Sequence, residues 1–434
     1  MIPPRLKPLS ARKSALLSVL DVGTSKIACL IARLMPLESA DAVRGRTHRC
    51  RILGIGHQRS RGMKGGQVVD MEETEAAIRV AVDAAERMAG VQVESIIVAA
   101  AGGRLSGQHF KAEVDVIGGA VRDADIHRVL EASCARTSRQ NRAVLHSLPT
   151  SYSLDAANHI RDPRGMMGER LGADLLVASC DTASARNLLL AVERCHLGIE
   201  ALVASPYAAG LSVLVDDEPD MGTIVIDLGG GTTSIALFSG GVLAHLDAFA
   251  VGGHHITTDI ARGLNARLAD AERMKTLFGS AISSPSDERE TITVEQAGEE
   301  SGHPVHLPKS HLIRIIRPRA EEILELVRDR LDRAGIPAAA GRRIVLTGGA
   351  SQLTGLPEAA RRILSGQVRL GRPVGIQGMP ESAQSPAFAA AVGLTIYPQF
   401  AAMEHFEPNR QTNLKATGTD GYIARVGRWL KESF

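Results

Sequence analysis

The sequence predicts an α/β fold of two lobes, with an α+β insert in the first lobe and an amphipathic helix at the C-terminus. Three observations carry this prediction. Two stretches, "LLSVLDVGTSKIACLIA" from Leu16 and "TIVIDLGGGTTSIALFSGG" from Thr223, repeat one plan: apolar strand, aspartate, glycines and hydroxyls, second strand. A third, "RRIVLTGGASQLTGL" from Arg342, runs a strand into Gly348 and Gly349 and on toward a helix. Two runs rich in alanine and glycine, "ASPYAAGLSVL" after Val203 and "SPAFAAAVGLTIY" after Gln384, have side chains small enough for two helices to cross closely.

The paired hairpins have the residue types that phosphate chemistry needs. Asp21 and Asp227 end strand-like runs, where a carboxylate can hold Mg2+ through its waters. Gly23, Gly229, Gly230 and Gly231 lack a Cβ and can take positive φ, which brings backbone N–H groups to phosphate oxygens. Thr24, Ser25, Thr232 and Thr233 add hydroxyl donors, and Lys26 adds a positive charge near a terminal phosphate. Either motif alone also fits a tight turn; two of them facing each other point to a nucleotide gripped between lobes. Glu272 and Lys275 in "DAERMKTLFG" are three apart on one helix face, a spacing that an ordinary solvated helix shares.

In their order along the chain, the two hairpins and the third loop resemble the actin, hexokinase and heat-shock-chaperone superfamily. That resemblance implies ATP as ligand, with Gly348 and Gly349 against the nucleoside and Glu272 and Lys275 at ribose and base. It also makes the two alanine-rich helices the hinge. Three further stretches, "IGHQRSRGMKGGQVVDMEETEAAIRVAVDAAERMAG", "RAVLHSLPTSYSLD" and "VERCHLGIEALVASPYAAGLSVL", resemble the bacterial cell-division family FtsA. The likeness runs from about Leu16 to the last residue.

Segment by segment, 1–14 reads as a flexible N-terminus and 15–92 as the first-lobe core, resuming at 182–205 and 375–400. The insert is placed at 93–181, where "VESIIVAAAG" and "GADLLVASC" flank a polar helix. The FtsA resemblance implies that this insert contacts neighbouring subunits and downstream division proteins. The second-lobe core is placed at 206–250 and 306–374. Its small subdomain, 251–305, contains the surface loop "SSPSDERETITVEQAGEESGHP". In "LIRIIRPRAEEILELVRDRL" the apolar positions recur at helical spacing, and the helix is expected to break or begin at Pro318. The resemblance implies that Arg319 belongs to the surface receiving the C-terminal tail of FtsZ; capping or solvating its own helix is the alternative.

The C-terminus reads "GYIARVGRWLKESF" from Gly421. At helical periodicity Tyr422, Ile423, Val426, Trp429, Leu430 and Phe434 fall in an arc of about 140°, with Arg425, Arg428 and Lys431 opposite. A basic amphipathic helix (421–434) behind a polar linker (401–420) suits a membrane surface better than docking on its own body. Burying each large side chain returns at most roughly 1.5–3 kcal/mol, each cation near anionic lipid about 1 kcal/mol, and ordering the helix costs about 1–2 kcal/mol per residue. Such an anchor is weak singly and firm when repeated along a polymer.

Composition narrows the remaining classes. The 434 residues suffice for two lobes, and a net charge of +2 gives no reason to invoke nucleic acid. No window reaches the ~20 apolar residues of a membrane span, and the basic N-terminal stretch leads into a strand, so a signal peptide is not expected. Cys29, Cys50, Cys134, Cys180 and Cys195 are odd in number and widely spaced, which fits reduced cytoplasmic thiols. His254 and His255 adjoin in what reads as a loop, with no third metal ligand at usable spacing.

Superfamily hydrolases commonly place an acid or amide at the start of the first hinge helix to orient water. Here Ala204, Ser205 and Pro206 stand there, so no catalytic residue is assigned and ATP hydrolysis is expected to be slow or absent. The reading is an ATP-binding, polymerising cell-division protein on the cytoplasmic face of the inner membrane at the septum, linking FtsZ filaments to lipid. The alternatives are a pilus-assembly relative of the same fold and, less favoured, a small-molecule kinase, for which no aspartate base is found. A heat-shock chaperone is expected to carry a β-rich domain where this sequence has the tether.

Overall fold

The apolar runs assemble into two sheets of one plan. In the computed structural model, which describes residues 5–6, 9–10, 12–37, 46–102, 104–136, 141–295, 297, 305–336, 342–405 and 414–415, strands Ala15–Val22, Lys26–Pro36 and His48–Arg59 form an antiparallel meander. Ser95–Ala100 and then Gly198–Ala204 extend it in parallel from its first strand. The second lobe repeats the arrangement with Thr223–Leu228, Thr233–Ser239 and Val242–Phe249 as meander and Arg343–Thr347 and Gln367–Leu370 in parallel. Ala15–Val22, Ser95–Ala100, Gly198–Ala204, Thr223–Leu228 and Thr233–Ser239 are buried along nearly their whole length, which is why they read as nearly continuous apolar runs. Asp21 and Asp227 thereby occupy equivalent points of equivalent strands.

The two alanine-rich runs are helices, Ser205–Val213 and Ala389–Ile396, and they cross between the lobes. A Cβ on Gly393 would lie 1.7 Å from the Ala208 carbonyl oxygen, so the crossing needs glycine. Ser205–Val213 packs through Tyr207, Ala208, Ala209 and Val213 into a core that joins first-lobe strands to Val225, Ala236, Phe238 and Val345 of the second lobe, so the hinge helix is shared by both.

The insert starts later than 93. Strand Ser95–Ala100 pairs between Ala15–Val22 and Gly198–Ala204, inside the first-lobe sheet, and the chain leaves only afterwards. Strands Ser106–Asp115, Arg142–Leu154, Ala157–Ile160 and Arg170–Asp181 form an antiparallel sheet with helix Asp123–Ala135 upon it, around Val129, Leu130, Leu171 and Leu175. This sheet meets the second-lobe meander at one register pair, Ser106 with Asp247. Beside that seam His109 Nδ1 lies 2.7 Å from an Asp174 carboxylate oxygen and Nε2 lies 2.8 Å from the Ala244 carbonyl oxygen. Both partners only accept, so the ring donates twice as imidazolium, and its pKa is raised chiefly by Asp174.

Three other expectations are corrected. Helix Lys309–Arg333 runs unbroken through Pro318, because Leu312 and Ile316 before it and Ala320, Ile323 and Leu324 after it are buried in one core; that burial outweighs the lost hydrogen bond and ring clash. The core ends after 400: Ala401–Met403 is a 3₁₀ turn, and buried Glu404 accepts from His146 Nδ1 at 2.8 Å. The two segments read as flexible tethers also meet, as Arg5–Leu6 pairs in parallel with Leu414–Lys415. Among the described residues, no helix is long and apolar enough to cross a membrane.

Candidate functional site

The hairpins close in the same way. Gly23 N–H donates to the Lys26 carbonyl at 3.0 Å, and Gly229 N–H to the Thr232 carbonyl at 2.9 Å. A Cβ on Gly23 or Gly229 would stand 2.8 or 3.0 Å from those same oxygens. None of Gly23, Gly229, Gly230 and Gly231 has positive φ, so the expected reason for glycine is corrected: close approach requires it, not a left-handed backbone. The tips also face each other. A Cβ on Gly230 would fall 1.8 Å from Ser25 Oγ and one on Gly231 2.7 Å from Thr24 Oγ1, so only bare backbone lets the second loop meet the first.

Two buried carboxylates and one ammonium act on one another beside the hairpins. Burial raises the Asp21 pKa, opposed by Lys26. Burial and then the Asp21 charge push Asp227 up to about 7, while Ser205 Oγ donates to it at 3.5 Å and Lys26 also opposes the rise. Burial brings Lys26 down to about 8 against the pull of both aspartates. Its Nζ donates to the Ala387 carbonyl at 2.6 Å and sits 3.3 Å from the Phe388 ring centroid, against the 387–388 turn. One cation for two buried anions leaves room for a further positive charge. Among the described residues no three His, Cys, Asp or Glu side chains gather as metal ligands, and two carboxylates alone suit Mg2+, which keeps waters and shares phosphate oxygens.

The sign of the pH dependence follows. Asp227 lies above its ordinary range, so its favourable contribution to folding is present below about pH 3.8 and lost as pH rises through about 7. A bound cation competes with that proton. Differential scanning calorimetry with Mg2+ and ATP is therefore expected to give a larger rise in Tm at pH 8 than at pH 6, and an equal rise at both would contradict this assignment.

The third loop and the Glu272/Lys275 pair converge on the second hairpin through Gly252 and Gly253. Gly253 N–H donates to the Gly229 carbonyl at 3.0 Å, and Lys275 Nζ donates to the Gly253 carbonyl at 3.2 Å and to Glu272 Oε2 at 2.6 Å. Thr257 Oγ1 donates to the same Glu272 oxygen at 2.5 Å. A Cβ on Gly253 would touch Ala350, the residue after Gly349, at 2.9 Å. Gly348 does adopt positive φ, 84°, and a Cβ there would stand 2.3 Å from Asp227 Oδ1.

His254 is the group sequence reasoning missed. It stands not in a loop but in the first turn of helix Gly253–Gly263, with Nε2 3.3 Å from Ser25 Oγ across the cleft. Thr24 Oγ1 accepts from Gly66 N–H at 3.1 Å, and Thr233 Oγ1 donates to the Val251 carbonyl at 2.8 Å. Arg319 is apart from the cleft, its Nε donating to Asp259 at 2.6 Å, with Glu322 on its other side. Tyr422, Ile423, Arg425, Val426, Arg428, Trp429, Leu430, Lys431 and Phe434 lie outside the described residues.

Twin sheets joined by crossing helices, with opposed acidic hairpins between them, define the class of actin-like ATPase folds. A chain of the PilM-PilN type IV pilus biogenesis complex superposes with a TM-score of 0.59 at 18% identity, covering 88% of this chain and 98% of that one. MreB5 of Spiroplasma citri bound to ADP gives 0.51 at 14%, covering 89% and 97%. At such identities these likenesses show the fold alone. Sequence comparison is narrower: residues 224–393 match the family model of cell division protein FtsA, and residues 102–179 that of the SHS2 domain inserted in FtsA. Cell division protein FtsA of Agrobacterium fabrum is 50% identical over 433 residues, 99% of this chain and 98% of the relative. That of Escherichia coli is 33% identical over 423 residues, 96% and 97%. The chain belongs to the FtsA family of cell-division proteins.

Proposed function

We propose that this chain is an ATP-binding cell-division scaffold that polymerises on the cytoplasmic face of the inner membrane and ties FtsZ filaments to it. The carrying observation is the pair of equivalent hairpins whose two buried aspartates act on each other and on Lys26. Asp21 and Asp227 would hold Mg2+, which when bound would neutralise charge on the phosphate oxygens. Gly23, Thr24, Ser25, Gly229, Gly230, Gly231, Thr232 and Thr233 would line the phosphates once the tips part, and Gly348, Gly349, Glu272 and Lys275 the nucleoside. Ser205 stands where an acid or amide would orient water, so hydrolysis is slow or absent, and binding with closure is the main event.

The terminal helix would attach each subunit weakly and a polymer firmly. Arg319, already committed to Asp259, would receive the FtsZ tail by exchanging partners. Deleting 421–434 is expected to abolish co-sedimentation with anionic liposomes while ATP binding persists. Undiminished co-sedimentation of the shortened protein would overturn the anchoring role.

A further inference from the structure

A cavity of about 490 Å³ opens beside the second hairpin, walled by Gly65 of the first lobe, Arg104 where the chain enters the insert, Arg142 of the insert's sheet, and Thr232, Asp247 and Arg330 of the second lobe. Its ionisable lining is three arginines against one aspartate, a balance of +2. The aspartate is already neutralised: Arg330 Nη1 donates to both Asp247 oxygens, at 3.1 and 3.0 Å. Arg142 is a fixed charge, donating to the Arg104 carbonyl at 2.9 Å, to Ser106 Oγ at 2.5 Å and to the Ser179 carbonyl at 2.7 Å. Arg104 is exposed, so its guanidinium can turn toward an occupant at little cost.

We propose that this cavity is a second anion site, one that binds inorganic phosphate beside the hairpin. Arg142, whose Nε also donates to Ser179 Oγ at 3.1 Å, supplies a fixed charge, and the exposed Arg104 supplies a planar N–H fork that matches the oxygens of a small oxyanion. Thr232 ties it to the phosphate loop, and the choice of phosphate rests on reading that loop as nucleotide-binding. The walls come from first lobe, insert and second lobe together, so an occupant bridges all three, next to the seam where Ser106 pairs with Asp247.

The test is calorimetric titration of phosphate into full-length protein loaded with Mg2+ and a non-hydrolysable ATP analogue, which fills the terminal-phosphate position and leaves the cavity as the reporter. Saturable binding is expected, weakened at least about tenfold by Arg104→Glu and kept within a few-fold by Arg104→Lys. Thermal melts of both variants verify folding. No saturable uptake by analogue-loaded protein, or equal uptake by Arg104→Glu, overturns the proposal. If the analogue itself does not bind, the nucleotide reading fails separately, and phosphate titrated into the unloaded protein, compared with Arg104→Glu, still decides the cavity.

Discussion

Gly393→Val is expected to cost on the order of 3 kcal/mol or more of stability and to prevent the lobes from closing. The reason is the crossing of Ser205–Val213 with Ala389–Ile396, where an added Cβ would stand 1.7 Å from the Ala208 carbonyl oxygen and 2.2 Å from its carbon. That atom belongs to helix backbone, so no rotamer change relieves the contact; one helix must move. Ser205 begins the same helix and faces Asp227, so displacement is transmitted to the cleft. A useful contrast is Gly90→Ala. Gly90 has φ 67° with nothing within 4 Å of an added Cβ, so only backbone strain is introduced, about 1 kcal/mol. Melting curves of the two variants, with and without Mg·ATP, check the prediction. Equal losses in both would mean that the helices do not cross as tightly as the geometry requires.

What could be read in the sequence was what is held locally. Both hairpins, the third loop and the two small-residue helices are contiguous motifs whose residues do their work within a few positions, as the Gly23 to Lys26 and Gly229 to Thr232 bonds illustrate. What could not be read depends on distant partners. Pro318 argues for a helix end, yet burial on both sides carries the helix past it. Ser95–Ala100 looks like any apolar strand, and only its pairing assigns it to the first lobe instead of the insert. Glu404 resembles the start of a polar linker until it meets His146, 258 residues away in sequence. His146 Nε2 in turn accepts from Ala204 N–H at 2.9 Å, which fixes the ring as the Nδ1–H tautomer and ties the end of the core to the start of the hinge. His254 left one usable signal: two glycines ahead of it, after a strand, in "AVGGHH".

Asp227→Asn is expected to raise the stability of the nucleotide-free protein at pH 8 while lowering Mg·ATP affinity by about 100-fold or more. The two effects have one origin. With its pKa near 7 in the folded state, Asp227 is largely ionised at pH 8, buried, and beside the buried Asp21. Each unit by which the folded pKa exceeds the ordinary value opposes folding by about 1.4 kcal/mol once the group is ionised, so a neutral isostere should recover on the order of a few kcal/mol, reduced by what Lys26 loses as its partner. At pH 5 the carboxyl is mostly protonated in the fold and the gain should largely vanish. The same substitution removes one of the two carboxylates proposed to hold a cation, and an amide is a poor replacement for a charged oxygen at a hard metal. Melts at pH 5 and pH 8 together with Mg·ATP titration separate the possibilities. Undiminished Mg·ATP affinity would mean that the cation sits elsewhere, whereas a loss of stability at pH 8 would mean that Asp227 is a structural partner of Lys26 more than a reserved site. Stability given up at a site whose unbalanced charge only a ligand completes is the expected signature of function.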